Sequence, residues 1–284
     1  MPKTLLGLIG HPLGHSLSPQ MHNEQFRRLG LDGYYHLFDT PTEELQESVQ
    51  ALRQLGTAGF NITIPYKVSV MAYIDRVDSS AERIGAVNTV VRENEELVGY
   101  NTDGEGYLES LLAVRSLEQI KNANILVIGA GGAARAVCYA LSLRRPNNII
   151  LVNRTQEKAE QLKSHLEDIA SIEVVPKEEA ESRNSEYDIL INTTSIGMSP
   201  ETDRSPWPLK NVKTSALCSD LIYNPWETRW LKEARKAGLD TLNGSGMFVN
   251  QGALAFKYWT GQEPDRKAMH SLVENHLKGE HNAE

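Results

Sequence analysis

Cysteine is nearly missing from this chain: Cys138 and Cys218 are the only two thiols in 284 residues. They lie far apart, so they make neither a disulfide framework nor a metal-ligand spacing, and such sparse use fits a reducing cytoplasm. Long apolar runs are missing too. The N-terminal run from Met1 to Gly10 is broken by Gly7 and stops at His11-Pro12, without the length or the cleavage site of a secretory signal. No later stretch approaches the roughly 18 to 20 apolar residues that a membrane span needs. Positive charge is in deficit, with 29 Lys and Arg against 37 Asp and Glu and a net charge of −8. Binding to nucleic acid or an anionic membrane requires a cationic surface that displaces counterions, so neither is expected as a partner. A local basic cluster can still hold one small anion. Repeats and low-complexity segments are also absent.

What remains is an ordinary folded composition, 40% hydrophobic and 23% charged, long enough for about two domains. Short β-rich runs alternate with helix-period segments, the pattern of α/β architecture with largely parallel sheets. The first part offers strands at Thr4 to Gly10, Tyr34 to Thr40 and Phe60 to Pro65. Between the last two, Thr42 can cap a helix whose apolar face is Leu45, Val49 and Leu52. Ala86 to Arg92 and Leu97 to Thr102 read as an antiparallel hairpin, which makes the first sheet mixed. From Asn122 the pattern restarts, with strands at Ile125 to Gly129, Ile149 to Asn153, Ile172 to Val175, Asp188 to Thr194 and Leu217 to Tyr223. That is a doubly wound layout, with ligands expected outside the carboxyl ends of the strands. Ser199 to Pro208 is too rich in proline for regular structure and reads as a loop, and the polar tail Gly279 to Glu284 is expected to fray.

Asn124 to Val137 runs as a buried strand, a glycine turn (Gly129, Ala130, Gly131, Gly132, Ala133) and the opening of a helix. Gly129 permits the turn, Gly131 lets backbone approach a pyrophosphate, and Ala134 allows close helix packing. The alternative is a glycine turn that serves βα packing alone. At the end of the next strand an NAD site usually offers a carboxylate to the ribose; here stand Asn153, Arg154 and Thr155, with Lys158 a turn later. A guanidinium welcomes a 2′-phosphate, which favours NADP. An ordinary solvated helix face is the competing account of Arg154 and Lys158.

In the first part, Ser18 suits an N-cap and Pro19 the first helical position, and Ser16 with Ser18 at a helix start can take a small carboxylate. On local evidence capping alone is the stronger account of them. His11, His15 and His22 lack metal-site spacing, so no metal is expected. Period two places Asn61, Thr63 and Pro65 on one strand face, with Lys67 beyond its end and Asn88 and Asp103 on the hairpin. Lys67 and Asp103 are active-site residue types at strand ends, or a surface ion pair.

Taken together, these motifs resemble the shikimate dehydrogenase family from end to end. The matching runs are Ser16 to Asn23, Asn61 to Lys67, Gly85 to Thr89, Asn101 to Asp103, Gly129 to Ala134, Asn153 to Thr155, Asn192 to Met198, Asp220 to Pro225 and Gly244 to Gln251. The resemblance implies an N-terminal mixed-sheet substrate domain (1–103), a Rossmann-type NADP domain (104–249) and C-terminal helices (250–284) returning to the first. It implies reversible NADPH-dependent reduction of 3-dehydroshikimate to shikimate. By the same resemblance, Ser16 and Ser18 hold the substrate carboxylate, with Thr63 and Gln251 beside it. Lys67, Asn88, Asp103 and Gln251 hold the ring hydroxyls, and Tyr223 lines the pocket. Lys67 is the implied acid/base and Asp103 its partner. NADP contacts fall on Gly129 to Ala133, Asn153, Arg154, Thr155 and Lys158, with Leu221, Gly244 and Met247 around the nicotinamide. Lys158 stands where the family usually has Arg, a point charge in place of a planar fork. Rival readings are a quinate/shikimate dehydrogenase using NAD or NADP, and a non-catalytic NADP-binding sensor. Monomer and homodimer are both open.

Overall fold

The structure, a computed structural model, describes residues 4–280. The chain divides into two compact units, Met1–Asp103 with Val249–Asn275, and Gly104–Phe248 with His276–Glu284.

The first unit carries β1 (Thr4–Gly10), α1 (Ser18–Arg28), β2 (Gly33–Asp39), α2 (Leu45–Gln54), β3 (Gly59–Ile62), β4 (Arg76–Val77), α3 (Ser79–Ile84), β5 (Thr89–Glu93) and β6 (Glu96–Tyr100). Its sheet runs in the order β2-β1-β3-β5-β6-β4. The β1 pairings to β2 and β3 are parallel, whereas β3 to β5 and β5 to β6 are antiparallel, so the sheet is mixed as the hairpin predicts. The hairpin turns at Asn94 and Glu95, both at positive φ (48° and 71°), the backbone that a tight turn matched to strand twist requires. Leu45, Val49 and Leu52 are 4%, 0% and 3% exposed, so α2 buries the face its spacing predicts, each side chain contributing about 1.5–3 kcal/mol.

Two expectations for α2 and β3 fail. Thr42 starts a short 3-10 turn, Thr42–Glu44, and makes no capping bond, because Pro41 already occupies the N-cap position. The strand at Phe60 ends at Ile62, and 63–66 form a turn, with Tyr66 N donating to Thr63 O at 2.9 Å. Thr63 and Pro65 therefore leave the strand face they were expected to share with Asn61.

The second unit carries α4 (Asp103–Leu112), α5 (Leu117–Lys121), β7 (Asn124–Ile128), α6 (Gly132–Ser142), β8 (Asn148–Val152), α7 (Gln156–Leu166), β9 (Ile172–Val174), α8 (Lys177–Ser182), β10 (Ile189–Asn192), β11 (Leu217–Asp220), α9 (Arg229–Lys236) and β12 (Asp240–Leu242). Every pairing in its sheet is parallel, in the order β12-β11-β10-β7-β8-β9. Counted within the unit, that is the doubly wound Rossmann order. Strand β12 was not expected from sequence: it has three residues, only partly buried, and too few apolar positions to show a period. The segment 199–208 is irregular, as its prolines predict.

The chain ends in α10 (Ser245–Thr260) and α11 (Arg266–Glu280). Residues 249–275 belong to the first unit, so the greater part of both C-terminal helices returns to it. There Phe256 packs with Leu6, Leu8, Phe26 and Tyr35, and Trp259 Nε1 donates to Val90 O at 2.8 Å. Gly59 makes room for that indole, since a Cβ there would stand 2.3 Å from Trp259 Nε1. Of the tail expected to fray, Gly279 and Glu280 are helical, and residues 281–284 lie outside the described ones.

His22 on α1 is fully buried, its ring stacked on Tyr35 with centroids 4.4 Å apart, and neither ring nitrogen has a hydrogen-bond partner. Burial disfavours the imidazolium and pushes its pKa down to about 3 from 6.5. The unfolded chain therefore binds a proton in this interval that the folded chain refuses. Stability is full above pH 6.5 and is lost as pH falls toward about 3. His22→Leu should flatten that acid limb of the melting temperature. An unchanged limb in the variant would remove the buried imidazole as its source.

Candidate active site

In the first unit the polar residues gather around one ion pair. Lys67 Nζ donates to Asp103 Oδ2 at 2.5 Å, with the lysine side chain 16% exposed and the aspartate 5%. Backbone contacts hold both ends. Lys67 follows the Thr63 to Tyr66 turn, and its carbonyl accepts from Val87 N at 2.7 Å, while the Tyr66 hydroxyl donates to Thr40 O at 2.6 Å. Asp103 opens α4; its N–H donates to Asn101 Oδ1 at 3.0 Å, and Asn101 Nδ2 donates to Ala86 O at 2.9 Å.

Asn88 connects this pair to the sheet. Its Nδ2 donates to Asp103 Oδ1 at 2.9 Å, to Thr102 Oγ1 at 2.9 Å and to Gln251 Oε1 at 3.4 Å. Its Oδ1 accepts from Thr102 N at 2.8 Å and Thr89 Oγ1 at 3.0 Å. Behind it, buried Asn61 donates to Asn88 O at 3.0 Å and to Thr89 Oγ1 at 3.1 Å, and accepts from the Tyr35 hydroxyl at 2.8 Å. Lys67, Asn88, Asp103 and Gln251 are thus brought together. Tyr35, which supports them, gave no signal in sequence, and Thr89 and Thr102 fall inside matched runs without being given a role, because a buried hydroxyl at or near a strand reads as an ordinary strand residue.

Ser18 is not the N-cap of α1. Leu17 takes that position, Ser18 is the first helical residue, and no side chain caps the helix. Ser16 Oγ accepts from Ser18 N at 3.3 Å instead. The local turn through Ser16 satisfies that amide, so the Ser18 hydroxyl, on a residue only 6% exposed, is not spent on capping. The end of β1 is joined to the Thr63 turn: Thr63 N donates to Ile9 O at 2.9 Å and His11 N to Ile64 O at 3.1 Å. Gly10 permits this approach, since a Cβ there would stand 2.3 Å from Thr63 Cγ2. The histidines part company: His11 pairs with exposed Asp39 at 2.7 Å, His15 is exposed and His22 is in the core.

In the second unit, β7 ends in a turn through Gly129 at φ 113°, where a Cβ would meet Thr193 Oγ1 at 2.5 Å. Gly131 is the N-cap of α6, exposed, with nothing within 4 Å of a Cβ placed on it. An open glycine at a helix N-terminus, with the first amides unpaired within the helix, is a cradle that fits a pyrophosphate. Ala134 is fully buried against the core, as close helix packing requires. At the end of β8, Asn153 Nδ2 donates to Thr155 O at 2.7 Å and so folds the loop that presents Arg154. Arg154 and Lys158 are exposed, and neither forms an ion pair with any described residue. Two cations left without acid partners fit the 2′-phosphate of NADP.

Leu221, Gly244 and Met247 also lie in the second unit. Gly244 N donates to Ile222 O at 3.0 Å, and a Cβ on Gly244 would stand 2.0 Å from Leu221 O. Met247 is 8% exposed and packs in the core cluster that Leu221 borders. Tyr223 stacks on Phe248 with centroids 4.2 Å apart. It is not in the unit that holds the other expected substrate residues.

Comparison with known proteins covers both units. Family profiles match residues 8–90 (shikimate dehydrogenase substrate binding domain), 111–200 (shikimate / quinate 5-dehydrogenase) and 244–274 (shikimate 5′-dehydrogenase C-terminal domain). Shikimate dehydrogenase (NADP(+)) of Shouchella clausii is 51% identical over 274 residues, covering 95% of this chain and 98% of the relative. The Bacillus subtilis enzyme of the same name is 48% identical over 98% of this chain and 99% of its own. The crystal structure of Thermus thermophilus shikimate 5-dehydrogenase in complex with NADP(H) and shikimate superposes with a TM-score of 0.85. That protein is 37% identical, covering 96% of this chain and 99% of the other. Matched in order along almost its whole length, the chain belongs to the shikimate dehydrogenase family.

Proposed function

We propose that this protein is an NADP-dependent shikimate dehydrogenase, which reversibly reduces 3-dehydroshikimate to shikimate in aromatic amino-acid biosynthesis. The observation that carries the reading is the Lys67–Asp103 pair, nearly enclosed and joined through Asn88 to Gln251. A non-catalytic NADP-binding sensor has no use for it, because a buried ion pair costs free energy that an apolar pair of similar volume does not. A cyclic hydroxy acid explains the cost: hydroxyls can pair with Lys67, Asn88, Asp103 and Gln251, while Ser16 and Ser18 offer donors to its carboxylate, with Thr63 beside it. Residues 1–103 and 250–284 are assigned to the substrate and 104–249 to NADP, with Tyr223 lining the substrate's pocket.

The residues assigned to NADP are Gly129, Ala130, Gly131, Gly132 and Ala133 for the pyrophosphate, Asn153, Arg154, Thr155 and Lys158 for the 2′-phosphate ribose, and Leu221, Gly244 and Met247 for the nicotinamide. When bound, the reduced cofactor supplies the hydride that the substrate's C3 accepts. Reduction also requires a proton at the C3 oxygen. Lys67 Nζ delivers it, and its positive charge stabilises the alkoxide as negative charge develops there. At 16% exposure the lysine can regain a proton from solvent after each turnover. Asp103 holds Nζ in place and Asn88 holds Asp103, so the donor is oriented before substrate arrives.

The acidic chain has two buried free thiols, and none of its described helices is long and apolar enough to cross a membrane. We assign it to the cytoplasm, as a monomer or homodimer, with neither nucleic acid nor membrane as a partner.

Initial rates with shikimate or quinate against NADP+ or NAD+ test the assignment. Strong turnover is expected for shikimate with NADP+; comparable rates with quinate or NAD+ would make it the broader quinate/shikimate enzyme, and silence in every combination would restore the sensor. Lys67→Ala should lower kcat by about a thousandfold or more while leaving the NADPH dissociation constant within about twofold. An unchanged kcat would take Lys67 out of the chemistry. Arg154→Ala should weaken NADPH by about tenfold or more and NADH hardly at all. Equal weakening of both would refute the 2′-phosphate contact.

A further inference from the structure

Two polar side chains are buried at strand ends in the second unit without a part in the reaction as described. Asn192, 0% exposed, ends β10, and Asp220, 1% exposed, ends β11 as its partner in register. Asp220 Oδ1 accepts from Asn192 Nδ2 at 3.0 Å and Ile222 N at 3.1 Å, and Oδ2 accepts from Thr228 Oγ1 at 2.9 Å. Asn192 Oδ1 accepts from Thr194 N at 3.0 Å and Thr194 Oγ1 at 2.7 Å, and its Nδ2 also reaches Ile196 O at 3.3 Å. Thr228 is the N-cap of α9 and takes Leu231 N at 3.4 Å. One carboxylate thus ties together the loop after β10, the loop after β11 and the start of α9. The chain entering α10 is laid on the same loop, through the Gly244 N to Ile222 O bond at 3.0 Å.

No cation lies within ion-pair distance of this carboxylate among the described residues, and burial pushes its pKa up to about 7. A charge-bearing group at such depth costs free energy that an apolar side chain would not. Its position explains why it is there. In the order β12-β11-β10-β7-β8-β9, the glycine turn follows β7 and the Arg154 loop follows β8. With the pyrophosphate at β7 and the adenosine toward β8, the other half of the cofactor extends over the ends of β10 and β11.

We propose that Asp220 is a positioning residue for the nicotinamide half of NADP, fixing through Asn192, Ile222 and Thr228 the two loops on which that half rests. This rests on the NADP reading and extends it to a residue that touches neither substrate nor reacting atoms.

The test compares NADP+ with 2′-phospho-ADP-ribose, which lacks the nicotinamide, by calorimetric titration of the full-length protein, alongside kcat. Asp220→Ala should weaken NADP+ by about tenfold and lower kcat at least as much, with 2′-phospho-ADP-ribose changed less than about twofold. Asp220→Asn should restore both to within about threefold of the wild type, since its amide keeps the Oδ1 acceptor and can donate to Thr228 Oγ1. Should Asp220→Ala not fold, Thr228→Val carries the same prediction at about three- to fivefold, because it cuts the tie to α9 and the cap on Leu231 N but leaves the bonds to Asn192 and Ile222. Equal weakening of both ligands in folded variants, or NADP+ affinity and kcat unchanged, would overturn the proposal. A wild type that binds neither ligand would instead overturn the NADP reading, and the proposal with it.

Discussion

The amide of Asn88 is the constraint on which the first unit's polar interior depends. Lys67 and Asp103 bring opposite charges into a nearly enclosed place, where desolvation costs several kcal/mol for each ion. Their mutual attraction offsets that cost only if the remaining lone pairs are filled. Asn88 Nδ2 fills Asp103 Oδ1 at 2.9 Å, and Asn88 is itself fixed because the Thr102 backbone N–H, at 2.8 Å, requires its Oδ1 on the other side. That single backbone donor decides which way the amide faces. Every later contact inherits the choice, including the Thr89 hydroxyl, the Asn61 amide and the Tyr35 phenol behind them.

The sheet's change of direction makes this arrangement possible. Parallel pairing of β1 with β2 and β3 brings the Thr63 turn beside the end of β1, whereas the antiparallel β5 and β6 start and finish at one edge of the sheet. Asn88, just before β5, and Thr102 and Asp103, just after β6, are therefore neighbours although a whole hairpin separates them. An all-parallel sheet would have needed a crossover helix between these strands and would have carried their ends apart. The second unit solves a different problem with a uniform sheet: parallel strands gather their carboxyl ends, the adjoining loops and the N-terminus of α6 on one edge, where a doubly phosphorylated ligand can be met by backbone amides.

Much of this was legible in the sequence, and for identifiable reasons. Apolar period and glycine placement located nearly all the strands, because β7, β8 and β10 are buried on both faces and read as unbroken hydrophobic runs. Arg154 stands out as a candidate because an acid is missing where an NAD site usually has one. The failures are equally physical. Period-two reasoning carried β3 through Thr63 and Pro65, but it cannot see a turn whose residues are themselves apolar or β-branched. Ser18 looked like a cap because serine, a proline and a helix start came in the usual order, whereas the structure satisfies that amide through Ser16. Lone short strands such as β12 carry no period at all.

The residues hardest to read were those that hold others. A side chain proposed to meet a ligand leaves a mark in sequence, because its type is wrong for a core or a strand end: a lysine after a strand, an arginine where an acid is usual. A side chain that orients such a residue has a type that the core accepts anyway. Tyr35 is 0% exposed and would serve its packing role among Leu6, Leu8 and Phe256 without its hydroxyl, which nonetheless fixes the Asn61 amide. Only the fold shows that the hydroxyl ends a chain of donors leading to the ion pair. Asp220 is the converse case. A carboxylate at a strand end invites a direct role with a ligand, yet the structure commits both its oxygens to Asn192, Ile222 and Thr228. Its contribution can therefore pass only through the backbone it holds, which is why its effect should be sought in the shape of a loop before the affinity of a contact.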